Sequence, residues 1–204
     1  MLRINAMTLV LCGASAFGVA ASAQYRPAQS PAPPSPAQAV PNPILSQNDA
    51  TPPQQETDKE FLHKAAEGGM MEVQLGQLAA DKATDPEVKA FGQKMVTDHS
   101  ALNASMKPIA ERMGVKVPDH LNRKDQGTYN KMNALSGTDF DKAYVKDMVM
   151  DHHQDLRAFG NEAKTVKDPE LKAAVEHGHD VIKEHSEMID KMAEDKGWSA
   201  SKHR

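Results

Sequence analysis

The chain has 204 residues, a formal charge of −4, 25% charged residues and only 4% aromatics. Without a basic patch interleaved with aromatic residues, nucleic acid is excluded as a partner class. The single cysteine, Cys12, excludes an intrachain disulfide, and if cleavage follows Ala23 the mature chain has no thiolate to offer a metal.

Residues 1–23 have the form of an export signal. Arg3 supplies the positive start, Ala6 to Ala20 is small and apolar, and Ala21-Ser22-Ala23 is an A-x-A site with cleavage expected after Ala23. The apolar run is too short and too weakly hydrophobic for a membrane span, so no transmembrane segment is expected in the mature chain. Cys12 lies inside that run behind a bulky Leu11, the wrong place for a lipid anchor. The expected compartment is the periplasm of a Gram-negative cell. Residues 24–56 then carry nine of the thirteen prolines, mixed with Ala, Gln and Ser. Such a segment has no means of forming a core and reads as a disordered tether, fit for association with the envelope. Residues 57–197 form one domain, followed by a tail at 198–204.

Many Ala, Lys, Glu and Met and few β-branched runs point to helices throughout that domain. The first long helix is expected at Thr57, with Glu60 completing a capping box and a stripe of Phe61, Ala65, Gly68, Glu72, Leu75 and Ala79. Asp85-Pro86 reads as an N-cap followed by proline in the first turn. The second long helix carries Val88, Phe91, Met95, His99, Leu102, Met106, Ile109 and Met113, with Pro108 expected to kink it and Gly114 to close it. After a polar connection containing Pro118 comes a short helix with Tyr129, Met132 and Leu135. Ser136-Gly137 breaks it. A third long helix follows, capped by Thr138 or Asp139 and ending near Lys167. Asp168-Pro169 repeats the earlier start, and the fourth long helix carries Leu171, Val175, Gly178, Ile182, His185, Ile189 and Met192 as far as Gly197. The halves echo each other, DPEVKAFG against DPELKAAV. Four helices of this length make an all-α antiparallel bundle the natural architecture, with an extra short helix in the connection between the second and third.

The unusual stretch is Met148 to Leu156, MVMDHHQDL, which sets His152, His153, Asp151 and Asp155 in an apolar stripe. Each long helix in fact places one metal-competent residue in its stripe: Glu72, His99, His152 and His185. At 1.5 Å per residue, all four fall roughly 18 to 27 Å from the nearest turn, within about two helical turns of one another. A bundle core is a place where carboxylate and imidazole metal sites are built. Imidazole suits copper, iron or zinc, and thioethers nearby favour copper. Met95 and Met148 stand four residues before His99 and His152, and Met188 three after His185. Asp98, Asp151 and His153 are candidates to orient the ligands or to join them, and Asp155 to orient them; Asp151, His153 and Asp155 are alternatively only solvated. The Glu-x-x-His pairs of a two-iron centre are absent from the second and fourth helices, which counts against oxygen-activating chemistry. The alternative is that these polar residues only fix helix register, and that methionine fills core gaps.

The stretches EFLHKAAEGGMMEVQLGQLA, DPEVKAFGQKMVTDHSALN and FDKAYVKDMVMDHHQDL resemble the exported bacterial family called domain of unknown function 4142. The resemblance covers roughly 57–195 and rests on Glu72, Met95-Val-Thr-Asp98-His99, Phe140-Asp141-Lys-Ala-Tyr144, His152 and His185, with His153 an addition. It implies a ferritin-like four-helix bundle. The second half is also similar to the related family 305, which implies copper or other metal handling. Two functions remain in play: an exported protein binding or sequestering a transition metal, and a structural or stress-protective envelope protein. An oxidase-type enzyme has the weakest support.

Overall fold

A computed structural model describes residues 53–199. The export signal, the cleavage after Ala23, nearly all of the proline-rich tether and most of the tail lie outside the described residues. Five helices follow in order: α1 (Pro53–Lys82), α2 (Pro86–Arg112), α3 (Arg123–Asn133), α4 (Gly137–Thr165) and α5 (Pro169–Asp195). Among the described residues there is no strand, and no helix is long and apolar enough to cross a membrane.

The two Asp-Pro signals work as expected. Asp85 accepts from the amides of Glu87 and Val88, and Asp168 accepts from that of Leu171 at 2.9 Å, satisfying donors that a helix start leaves unpaired. The start of α1 differs from expectation. The helix begins at Pro53, taking four residues from the tether, and Thr57 lies inside it with its hydroxyl donating to the Pro53 carbonyl at 3.0 Å. Proline is pre-organised for a helical first turn, and Gln54, Gln55 and Glu56 then continue a helix as readily as a coil. Helix α4 starts at Gly137 with Ser136 at the N-cap position rather than Thr138 or Asp139. Helix α2 continues through Pro108 to Arg112, and Gly114 and Gly197 close α2 and α5 with positive φ.

The four long helices pack in a ring α1–α2–α5–α4. Short turns make α1/α2 and α4/α5 antiparallel hairpins. Buried Asp141, near the start of α4, accepts from the Thr84 amide (3.1 Å), the Thr84 hydroxyl (2.5 Å) and the Asp85 amide (3.0 Å), which fixes that end of α4 on the α1–α2 turn. At the opposite end Arg112 holds Asp168 with two bonds of 2.8 and 2.9 Å, fixing the end of α2 on the start of α5. All four neighbouring pairs in the ring are therefore antiparallel. The 2–4 connection must run back along the bundle, and α3 within it packs on α1 and α4.

Where α1 meets α2 the backbones nearly touch. A Cβ on Gly76 would lie 2.9 Å from the Gly92 carbonyl, and one on Gly92 would lie 2.8 Å from the Gly76 carbonyl. This contact decides which face of α1 is buried: Leu62, Gly69, Leu75, Gly76 and Ala79 are deep, whereas Phe61, Ala65 and Gly68 of the expected stripe are only partly covered.

The core is in two parts. One holds Leu75, Phe91, Met95, Phe140, Tyr144, Met148 and Ile189; the other holds Leu62, Leu102, Met106, Phe159, Leu171, Val175 and Ile182. Between them each long helix contributes one buried metal-competent residue.

Candidate metal centre

That dividing layer is Glu72 of α1, His99 of α2, His152 of α4 and His185 of α5. None is more than 2% exposed. The helical period dictates the arrangement. On α2 and α4 the histidine follows a core methionine by four residues, and on α5 His185 follows Ile182 by three. One nitrogen from each of the three imidazoles lies within 4.8 Å of the others.

Each ring is held by one of its nitrogens. His99 Nδ1 is 2.8 Å from Glu72 Oε2. His152 Nδ1 donates to the Met148 carbonyl at 3.1 Å, and His185 Nε2 is 2.8 Å from Asp98 Oδ2. The remaining nitrogens turn inward. His99 Nε2 lies 3.2 Å from His185 Nδ1, and His152 Nε2 lies 3.7 Å from Glu72 Oε1 with no hydrogen bond to either atom. Outer partners that fix the tautomer while the other nitrogen faces a shared point are what metal-binding histidines have. The 3.2 Å spacing also suits two nitrogens on one tetrahedral ion, for which metal–nitrogen bonds of about 2.0–2.1 Å imply roughly 3.3 Å. The donor set fits a transition metal, and His152 Nε2 and Glu72 Oε1 are buried polar atoms otherwise left unpaired.

The electrostatics follow from this geometry. Burial pushes the Glu72 carboxyl up, but the adjacent His99 ring, through its charge and its hydrogen bond, outweighs that and holds it down at about 2. The same pair raises His99 against the opposing effect of burial. His152 has no such partner, so burial pushes it down to about 4 and it is neutral at pH 7. His185 is also lowered by burial, against its bond to Asp98. Three contacts run in series, Glu72–His99–His185–Asp98, and each needs a proton. Two neutral rings supply two, so the series is complete with His99 doubly protonated and His185 donating to Asp98. Lys94 joins Asp98 and Glu184 at 2.9 and 3.0 Å at the outer end.

The other candidates fall into two groups. Asp98 orients His185, and Asp151 lies beside Glu72 on the same side as Asp155. Met95 and Met148 are fully buried one turn from His99 and His152. His153 and Met188 do not belong to the core. Next to His152 but about 100° round the helix, His153 turns outward and bonds Asp190 at 2.7 Å, and Met188 is 39% exposed. Met188 precedes the buried Ile189, so the α5 stripe runs from His185 to Ile189 at a spacing of four and passes Met188 by.

Asp155, expected only to orient the ligands or to stand solvated, belongs to a second group of acids. Oxygens of Glu72, Asp151 and Asp155 lie within 4.8 Å of one another. Burial and the Glu72 charge push Asp151 up to about 7 and Asp155 up to about 9. The signal available was the spacing of four between the two aspartates, on either side of a core histidine.

Four antiparallel helices with one long crossover and a mid-core layer of imidazole and carboxylate define a ferritin-like bundle. A similar fold is found in a two-domain protein from Anabaena variabilis containing DJ-1/ThiJ/PfpI-like and ferritin-like domains, at a TM-score of 0.54 and 15% identity over 74% of this chain. The match spans 40% of that longer protein. The chain belongs to the family described as Domain of unknown function (DUF4142), whose model matches residues 45–192. No curated protein matches it.

Proposed function

We propose that this is an exported helical-bundle protein that binds, and in the cell envelope sequesters, a transition-metal cation through His99, His152 and His185, with Glu72 beside them. Copper, iron and zinc all suit the donor set. The observation that carries the proposal is His152. Its Nδ1 is committed to the Met148 carbonyl, which leaves Nε2 unprotonated, buried and without a partner, facing the same space as its two neighbours. An imidazole of that kind is a ready ligand.

A second use of the same residues is favoured by the Glu72–His99–His185–Asp98 series, which needs no ion to be complete. In that case the layer fixes helix register and the protein is structural. Metal analysis of protein exported from its native signal and purified without an affinity tag separates the two. Metal binding predicts bound ion, lost in His152→Ala and lost as pH falls through the histidine range, because a bound imidazole must be unprotonated. Absence of metal after exposure to zinc, copper and iron at pH 7.5 would leave the register role. Sequencing of the same sample should begin at Gln24; a retained Met1 would refute export by this signal.

A further inference from the structure

We propose that Glu72, Asp151 and Asp155 form a second, oxygen-only cation subsite on the solvent side of the histidine layer, with the Glu72 carboxylate shared between the two. The subsite would take a hard divalent cation such as Mn²⁺ or Fe²⁺. The inference rests on the histidine site, because Glu72 belongs to both.

The geometry comes from one turn of α4. In Asp151-His152-His153-Gln154-Asp155 the aspartates are four apart and share a face, while His152 between them turns into the core. One oxygen from each aspartate lies within 4.8 Å of the other and of Glu72. Three carboxylates this close repel one another, and burial deepens the cost. Among the described residues neither aspartate is ion-paired with a lysine or arginine, and the opposite charge acting on Asp151 is the His99 ring. An independent feature points to a ligand. Glu72 is 2% exposed and its Oε1 has no hydrogen-bond partner, although Oε2 is firmly placed on His99. A buried carboxylate with one oxygen engaged and one open is suited to bridging.

The direction of access agrees. His99, His152 and His185 are sealed, whereas Asp151 and Asp155 are only partly buried. Asp147, one turn earlier on α4, and Asp125 on the covering helix α3 add negative charge around Asp151. Acidic surroundings of this kind concentrate cations. Oxygen donors also differ in selectivity from the imidazoles behind them. Imidazole favours zinc or copper, and carboxylate favours manganese and other hard ions. Two different ions can therefore be loaded in turn.

The test uses the full-length mature protein, stripped of metal, given one equivalent of Zn²⁺ and then titrated with Mn²⁺, with bound Mn²⁺ followed by electron paramagnetic resonance. Wild type should retain zinc and bind manganese. The Asp151→Asn/Asp155→Asn variant should keep the zinc and weaken manganese binding by at least about 100-fold, as expected when two of three charged ligands are lost. The amides keep the size of the side chains and imitate the protonated acids, so circular dichroism and melting should match wild type, and Asp155→Asn alone serves as a milder control. Manganese binding equal in wild type and double variant overturns the inference and leaves the histidine site standing. If zinc is not taken up, the histidine reading fails, and Mn²⁺ added alone decides the subsite. Binding lost in the double variant supports it, and no binding, or binding the variant retains, ends it.

Discussion

Two groups of buried acids sit in this bundle under opposite rules. In the middle, Glu72 faces imidazole and stays charged, its carboxyl held at about 2 by the His99 ring against the effect of burial. Toward one end, Glu162 of α4 faces another carboxylate, Asp58 of α1, and burial together with that neighbour pushes it up to about 7. Both end residues are buried, and Asp58 also accepts a 2.6 Å bond from Gln54. The contrast teaches that depth alone does not decide the charge of a core acid. The partner does: three helices deliver bases to Glu72, and one delivers only a second acid to Glu162. A proton stands at the end where a histidine stands in the middle.

The largest test of this contrast removes the middle acid. Glu72→Ala strips the doubly protonated His99 of its buried counter-ion and should cost about 3–5 kcal/mol in denaturant unfolding of the metal-free protein at pH 7. The His99 ring should then titrate lower, visible by NMR. An unchanged unfolding midpoint would show that Glu72 and His99 do not form an ion pair in the fold.

Proton linkage separates the two regions next. His152 titrates at about 4 in the fold against 6.5 ordinarily, so between those values the unfolded chain binds more protons and this residue makes stability rise with pH. Glu162 does the reverse. Raised from 4.5 to about 7, it holds its proton better in the folded chain, and its contribution falls as pH rises through that window. Glu162→Gln, which imitates the protonated acid, should therefore gain on wild type progressively from pH 4.5 to 8 in metal-free urea melts. A difference independent of pH would remove the shared proton from the account.

The smallest effects belong to residues the geometry sets aside. His153→Asn and Met188→Leu should each change stability by no more than about 0.5 kcal/mol and leave metal uptake as in wild type. A marked loss of copper in Met188→Leu would mean that α5 rotates when an ion binds.

Much of this was legible in the sequence because it depends on spacing. Asp85-Pro86 and Asp168-Pro169 mark helix starts by chemistry local to each turn. The period of α2, α4 and α5 put His99, His152 and His185 on buried faces, and counting from the turns put them at one level. Helix α1 was harder. Its Gly68-Gly69 and Gly76 carry little hydrophobic signal, and the buried face is set by close approach to Gly92, a fact about two helices rather than one. Asp155 was legible only as an orienter or a solvated residue, for a similar reason. Its meaning comes from Glu72 on another helix, and spacing along α4 shows only that it shares a face with Asp151. Pro53 opening α1 was ambiguous in principle, since its surroundings suit both a coil and a first turn.

The glycine contact has a mechanical consequence. Where α1 crosses α2, the carbonyls of Gly76 and Gly92 each meet the other's α-carbon, so backbone packs on backbone. The hairpin that carries Glu72 and His99 is therefore a fixed jaw. Its counterpart is built differently: Gly178 of α5 lies against the ring of Phe159, where an added Cβ would come within 2.5 Å of Cε1, so α4 and α5 are spaced by a ring edge that can tilt. An ion taken up as proposed would be accommodated by the jaw that bears His152 and His185, while the distance from Glu72 to His99 stays as the backbone sets it.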